Sequence, residues 1–173
     1  PRTHIKVTNA SSIRCTEMLE SGQVDLIVVN CPNPYLKHIP SAKRIRSFQD
    51  VFIANESFRD LKGKKLTYKQ LLDYPILMLD KRSTTSEFLH SLFQQHQLDL
   101  VPEAELSSND LLIDLAGIGL GLAFIPDYCM EHMPDSLFVV ELKEKLPKRE
   151  LAIAYNSQLP VSRATEEFLS YFE

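Results

Sequence analysis

Hydroxyl side chains cluster at three places where a predicted strand ends and a predicted helix begins. In an open α/β sheet the carboxyl ends of the strands form the ligand crevice. A helix N-terminus with free N–H groups and nearby hydroxyls is a natural anion site, and Arg82 adds fixed positive charge. Helix capping alone explains any one of the turns, so a ligand site requires them to converge in space. The turns are Ser11-Ser12, Ser83-Thr84-Thr85-Ser86 and Ser107-Ser108-Asn109.

The other reactive residue types form no recognisable catalytic or metal-binding pattern. The five histidines include no pair at H-x-x-x-H or H-E-x-x-H spacing, which argues against a metal site. The sequence has no G-x-S-x-G elbow and no Walker loop. Cys31 follows a predicted strand, but no partner base can be named for it, so a structural thiol is the better interpretation. We predict no catalytic residue, no metal and no cofactor.

Three of the five glycines stand close together, at Gly117, Gly119 and Gly121. A dinucleotide-binding loop needs G-x-G-x-x-G between a strand and a following helix. Here the spacing is G-x-G-x-G, and the glycines follow a helix and precede a strand. The pattern therefore favours a helix C-cap and a tight turn into a buried strand.

Composition excludes several classes of protein. The 173 residues carry 19 Lys plus Arg against 23 Asp plus Glu, a net charge of −4, so a nucleic-acid-binding surface spread over the chain is not expected. The longest apolar run, residues 115–126, is too short to span a bilayer, and no signal peptide is visible. Three widely spaced cysteines form a poor disulfide framework and predict reduced thiols in the cytoplasm.

Strand and helix patterns alternate along most of the chain. This order predicts an α/β fold with a largely parallel sheet, or two such sheets. His4–Thr8 alternates like a strand. Val24–Val29 is nearly all apolar, which predicts a strand buried on both faces of a parallel sheet. The charge clusters Lys43–Arg46 and Lys143–Glu150 are interpreted as solvated faces. Ile76–Leu79 is predicted to be a strand, and Thr67-x-x-Gln70 and Thr84-x-x-Glu87 to be capping boxes.

Three segments occur in an order typical of one protein family. Residues 115–126 (LAGIGLGLAFIP) resemble the pattern L-V-A-A-G-L-G-I-A-L-L-P of the effector-binding domain of LysR-type transcriptional regulators. Residues 18–28 (MLESGQVDLIV) resemble the family's L-x-x-G-x-x-D strand entry. Residues 66–77 (LTYKQLLDYPIL) resemble its L-T-x-x-D-L-x-x-x-P segment. The resemblance spans almost the whole chain.

The resemblance implies two Rossmann-like lobes joined by a hinge, as in type 2 periplasmic binding proteins. Residues 1–49 with 154–173 would form the first lobe, lacking its first strand and helix, and residues 50–153 the second. A small effector, anionic if the hydroxyls and Arg82 contact it, would bind between the lobes. By position, Ser11 and Ser12 match the family's first-lobe helix start, and Asn30 matches the tip of the strand that follows the motif's Asp. Ser83, Thr84 and Thr85 match the second-lobe loop that often contacts effector in this family. Ser108 joins the candidates as a hydroxyl at a strand tip.

The resemblance also implies partners. The full-length protein would be a homodimer or homotetramer that binds DNA only through an N-terminal winged helix-turn-helix outside this chain, with no membrane partner. Effector binding would change the oligomer geometry. A solute-binding protein of a transport system is the alternative on the same architecture, but it would need an export signal, and the three thiols argue against an oxidising compartment. An enzyme would need a general base or nucleophile that the sequence does not supply.

Overall fold

The computed structural model describes residues 3–172, which contain five α-helices and nine β-strands. The helices are α1 (Ser12–Glu20), α2 (Tyr68–Leu71), α3 (Thr84–Gln95), α4 (Asn109–Gly117) and α5 (Arg163–Ser170). The strands are β1 (Leu26–Cys31), β2 (Lys43–Phe48), β3 (Asp50–Asn55), β4 (Lys65–Leu66), β5 (Ile76–Leu79), β6 (Ala104–Leu106), β7 (Leu122–Pro126), β8 (Leu137–Leu142) and β9 (Arg149–Tyr155). Among these residues no helix has the length and apolar character needed to cross a bilayer.

The chain divides into two compact units. Unit 1 comprises the chain up to Ser47 and again from Glu150, and unit 2 comprises Phe48–Arg149. The chain therefore passes between the units twice, once beside β3 and once at the start of β9. The boundaries that the resemblance implies lie two residues further along the chain at the first crossing and four residues further at the second.

Unit 1 contains a three-stranded sheet in the order β1-β9-β2, against which α1 packs. Strands β1 and β9 are antiparallel, with Leu26 opposite Tyr155 and Cys31 opposite Glu150. The expectation of a parallel strand buried on both faces is wrong for β1, since Val28 is 43% exposed. An apolar β-branched run predicts an extended backbone, but it specifies neither the direction of the neighbour nor cover for both faces. The buried core of this unit is Leu19, Ile27, Val29, Leu36, Ile39, Ala152 and Ala154.

The predicted strand at His4–Thr8 is also wrong. These residues have no regular structure, and Ile5 and Val7 are 80% and 86% exposed. A strand exists only through hydrogen bonds to a neighbouring strand. Alternating β-branched residues favour an extended backbone, but among residues 3–172 this segment has no such neighbour.

Unit 2 is built on a six-stranded sheet in the order β4-β8-β3-β7-β5-β6. Strands β5 and β6, β5 and β7, and β4 and β8 are parallel, whereas β3 is antiparallel to both β7 and β8. The sheet is therefore mixed, not largely parallel as the alternation predicted. Side chains alternate between two cores: Phe52 and Phe124 lie with α2 and α3 on one face, and Ile53 and Ala123 lie with α4 on the other.

The turns that end and begin the helices follow their sequence signals closely. Thr67 and Gln70 form the predicted capping box of α2. Gly119 has a φ of +82° just beyond the end of α4, which confirms the C-cap interpretation. A Cβ at Gly121 would lie 2.4 Å from the carbonyl oxygen of Pro75, so only glycine fits at this approach of two backbones. At α3 the prediction is wrong by one residue, because Ser83 and not Thr84 is the N-cap.

Candidate functional site

The carboxyl ends of β5, β6 and β7 lie at one edge of the sheet in unit 2. Because β5 is parallel to both of its neighbours, α3 and α4 begin at this same edge. The backbone N–H of Asp80 donates to the carbonyl of Leu106 over 2.9 Å, which ties together the segments that lead into the two helices. Antiparallel β3 begins here too, with Asp50 opposite Pro126. This edge is where ligands bind in open α/β sheets.

Four consecutive hydroxyl residues at the start of α3 are buried at this edge. Ser83 is 6% exposed, Thr84 and Thr85 are each 2% exposed, and Ser86 is 1% exposed. The Oγ of Ser83 accepts a hydrogen bond from the backbone N–H of Ser86 over 3.0 Å, which satisfies one of the free donors of the first turn. The Oγ of Ser86 is buried and has no hydrogen-bond partner among the described residues.

The threonine hydroxyls accept hydrogen bonds from a buried guanidinium, that of Arg149. One terminal nitrogen of Arg149 lies 3.1 Å from Thr85 Oγ1, and the other lies 3.4 Å from Thr84 Oγ1. The first nitrogen also lies 3.0 and 3.2 Å from the two carboxylate oxygens of Asp50. Both charged side chains are fully buried. The guanidinium carbon lies 5.2 Å and 4.9 Å from the ring centroids of Phe48 and Phe88, within cation–π range.

Burial dominates the electrostatics of Asp50. Loss of hydration raises the pKa of this carboxyl above its usual value, the charge and hydrogen bonds of Arg149 oppose that rise, and the nearby charge of Asp127 adds to it. The carboxylate of Asp127 itself accepts the backbone N–H of Gln49 over 3.1 Å. Arg149 therefore has a counter-charge inside the protein, so this edge of the sheet carries hydrogen-bond donors without a large excess of positive charge.

Arg82 and Ser108 lie at the same edge but have different surroundings. Arg82 is exposed, and its backbone N–H donates to the carboxylate of Asp80 over 2.9 Å. Ser108 is half-buried and is the N-cap of α4, with its Oγ accepting from the N–H of Leu111 over 3.3 Å. The guanidinium bonded to the α3 hydroxyls is thus that of Arg149, while a ligand contact from the Arg82 side chain stays a prediction.

The candidate residues of unit 1 form a group of their own. Ser11 is the N-cap of α1, and its Oγ accepts from the N–H of Arg14 over 3.3 Å. The Oγ of Ser12 accepts from the backbone N–H of Asn30 over 3.1 Å, so the start of α1 is bonded to β1. Ser12 and Asn30 are both half-buried. The structure brings together Ser12 and Asn30 in unit 1, and Thr84 and Thr85 through Arg149 in unit 2.

The sequence interpretation missed Arg149 and Asp50. The Lys143–Glu150 cluster was expected to form a solvated face, but Arg149 is only 1% exposed. The expectation failed because a run of mixed charges does not show which of its side chains points inward where a strand begins within the run. The available signal was the position of Arg149 two residues before the apolar run Leu151–Tyr155, where the alternation of a strand can direct one basic residue into the core.

Within residues 3–172 the metal-ligating side chains are scattered, and two of the three thiols have raised pKa values. No cluster of His, Cys, Asp and Glu suited to a metal ion is found in that part of the chain. Burial raises the pKa of the Cys15 thiol. Burial and the charges of Asp110, Asp50 and Asp127 raise the pKa of Cys129 to about 11. Both shifts disfavour the reactive thiolate form.

Comparison with known proteins gives the family. The family model described as the LysR substrate binding domain matches residues 1–173. The chain belongs to this family. It is therefore an effector-binding regulatory domain of the LysR type, and the expected fold class of two α/β lobes resembling periplasmic binding proteins is confirmed by the solved domains that it matches.

Individual relatives of this LysR domain are distant in sequence. It is 25% identical over 123 residues to the HTH-type transcriptional activator CmpR of Synechocystis sp., an alignment that covers 70% of this chain and 40% of CmpR. The chain thus spans less than half the length of that relative.

Two solved structures share the fold of the LysR domain. The Synechocystis PCC6803 CcmR regulatory domain in complex with 2-PG matches with a TM-score of 0.81 at 23% identity, covering 94% of this chain and 78% of that one. The effector binding domain of QuiR in complex with shikimate matches with a TM-score of 0.77 at 15% identity, covering 93% of this chain and 76% of that one.

Proposed function

We propose that this LysR domain binds a small anionic molecule and acts as the effector-sensing part of a DNA-binding transcription regulator. The observation that carries the proposal is the buried hydroxyl group at the start of α3. Thr84 and Thr85 lie at the carboxyl edge of the unit 2 sheet, beside free N–H groups of a helix N-terminus, and their hydroxyls accept from Arg149. Such an arrangement offers several donors to an anionic oxygen.

The relatives with ligands support this proposal. CcmR was solved with 2-PG and QuiR with shikimate, each a molecule with an anionic group. We propose that Ser83, Thr84, Thr85, Arg82 and Ser108 of unit 2 contact such a ligand, and that Ser11, Ser12 and Asn30 of unit 1 are the corresponding contacts there. We propose that the role is binding without chemical conversion; the raised pKa values of Cys15 and Cys129 support this, because they disfavour the nucleophilic thiolate at both positions.

The regulatory consequence is part of the proposal. In the full-length protein, a homodimer or homotetramer in the cytoplasm, an effector that binds one arrangement of the domain better than another shifts the population toward it. That shift changes the geometry of the DNA-binding segments, which lie outside this chain. The same coupling requires that DNA binding alters effector affinity by the same factor.

Isothermal titration calorimetry of the chain tests the ligand class. The probes are 2-PG, shikimate, inorganic phosphate and sulfate, with the uncharged methyl ester of shikimate as a matched control. We expect at least one of the four anions to bind at a single site, and the ester to bind at least tenfold more weakly than shikimate if shikimate is the ligand, because a charge-assisted hydrogen bond is lost. Absence of binding by all four anions at millimolar concentration would contradict the proposal.

A further inference from the structure

The ion pair of Asp50 and Arg149 is the most deeply buried charged group described in unit 2. Neither side chain has any exposed surface, and the two come from the starts of β3 and β9, close to where the chain passes into and out of the unit. Removing two charges from water is expensive and requires close partners for both of them. The partners of Arg149 include Asp50, through two contacts of 3.0 and 3.2 Å, and Thr85 and Thr84, through contacts of 3.1 and 3.4 Å.

The direction of the hydrogen bonds to the threonines follows from chemistry. A guanidinium carries N–H donors and no acceptor, so Thr84 and Thr85 can only accept from Arg149. Each hydroxyl has one proton of its own, which it must donate elsewhere. Within residues 3–172, the hydrogen bonds that these two hydroxyls make are the ones from Arg149, which leaves both protons available.

We propose that Arg149 and Asp50 are positioning residues of the ligand site, which fix Thr84 and Thr85 as hydrogen-bond donors and thereby select ligands with acceptor oxygens. This inference rests on the proposed function and adds the origin of its specificity. A hydroxyl that accepts from a cation is a stronger donor, because hydrogen bonds in a chain polarise one another. A ligand group that is itself a donor would leave these buried O–H groups unpaired, which is unfavourable.

Asp50 has a separate part in this arrangement. Its carboxylate neutralises Arg149, and both of its oxygens accept from the same terminal nitrogen of the guanidinium. The ligand is consequently attracted by oriented donors and by the N-terminus of α3 more than by a free positive charge. Lysine in place of Arg149 would keep the charge but lose the planar fork that reaches both hydroxyls and the carboxylate.

A double-mutant cycle tests the positioning role with 2-PG, shikimate, inorganic phosphate and sulfate as the probes. R149K, the isosteric pair T84V/T85V and their combination are compared by calorimetry, with K148M at the exposed neighbouring position as the control. We expect R149K to weaken binding of the best of the four anions about tenfold to a hundredfold, the range for loss of a hydrogen bond to a charged group. In the T84V/T85V background, R149K should weaken binding by less than about a further threefold, because Arg149 acts on the ligand through the two hydroxyls that are already absent.

The outcomes separate this inference from the proposed function. If the wild-type chain binds none of the four anions, the proposed function fails, and the positioning role fails with it. If the wild type binds an anion, two results contradict the positioning role alone. One is that R149K binds the anion as tightly as K148M does. The other is that the loss of affinity caused by R149K is the same in the T84V/T85V background as in the wild type. If R149K does not fold, D50N replaces it in the cycle, and the same non-additive weakening is expected from it.

Discussion

At the scale of single residues, hydroxyl and guanidinium groups account for most of the proposed chemistry. Thr84 and Thr85 are buried at the first turn of α3, and the guanidinium that they contact is paired with Asp50. Burial of each of these polar groups costs little free energy only because another group of the set is its hydrogen-bond partner. A change at one position therefore affects the others, and single substitutions report on the whole group.

The thiol of Cys129 gives a prediction about reactivity. Its pKa is raised to about 11 from 9.0 by burial and by the charges of three aspartates. At pH 8 its thiolate is roughly a hundredfold scarcer than in an unperturbed cysteine, at tenfold per pKa unit. We expect iodoacetamide to modify Cys129 slowly in the folded chain at pH 8 and rapidly in urea, as measured by mass spectrometry of the modified peptide.

The variant D110N tests whether nearby carboxylate charge helps to raise the pKa of Cys129. Asp110 is exposed and its charge is one of those that raise the pKa of Cys129, so its removal should speed alkylation at pH 8. The raised pKa of Cys129 also makes the free energy of unfolding depend on pH. Between pH 9 and about 11 the unfolded chain has lost this proton while the folded chain keeps it, so the free energy of unfolding should fall as the pH rises. Equal alkylation rates in folded and unfolded chains would contradict the shift.

The sequence predicted the hydroxyl candidates but not the groups that hold them. The turn at residues 83–86 was recognisable because Ser and Thr have local reasons to stand before a helix. Arg149 lies 64 and 65 positions away from its threonine partners, and its burial depends on which face of β9 it occupies. No local pattern carries that information. The contact was therefore not predictable without the register of the strands.

At the scale of elements, the two glycines that flank the end of α4 give a matched pair of substitutions. A Cβ at Gly121 would lie 2.4 Å from the carbonyl oxygen of Pro75, whereas a Cβ at Gly117 would meet nothing within 4 Å. We expect G121A to lower the free energy of unfolding by about 1–3 kcal/mol or more, the range for a forced clash in a packed region. G117A should raise it by about 0.5–1 kcal/mol, because alanine loses less backbone freedom in a helix.

Urea unfolding followed by circular dichroism measures both changes. Wild-type stability in G121A would show that the β7 backbone can move away from Pro75, contrary to the close approach described. A large loss in G117A would show that the end of α4 is not the open helical position that the structure gives it.

Prediction of elements succeeded where local chemistry decides the outcome. The strand at Ile76–Leu79 and the capping box at Thr67 were both predicted correctly, because each follows from the residues of its own segment. Strand direction was not predictable in the same way. The apolar run at β1 suggested a parallel neighbour, yet β9 pairs with it in the antiparallel direction. That pairing brings together residues about 120 to 130 positions apart in the sequence, so composition alone cannot specify it.

At the scale of the whole molecule, two crossings of the chain join the two units. Phe48 and Arg149 are the first and last residues of unit 2, and both take part in the buried group at the start of α3. Arg149, at the second crossing, thus contacts Thr84 and Thr85 directly, and Phe48, at the first crossing, packs against the guanidinium of Arg149.

The function proposed for this LysR domain requires that the hydroxyls of Thr84 and Thr85 donate hydrogen bonds to an anionic ligand. Calorimetric titration of wild type, T84S/T85S and T84V/T85V with the anion of the panel that the wild type binds most tightly tests it most directly. We predict that the serine pair, which keeps both hydroxyls, binds within about threefold of wild type, and that the valine pair binds about tenfold to a hundredfold more weakly. Wild-type affinity in a folded valine pair would contradict the account.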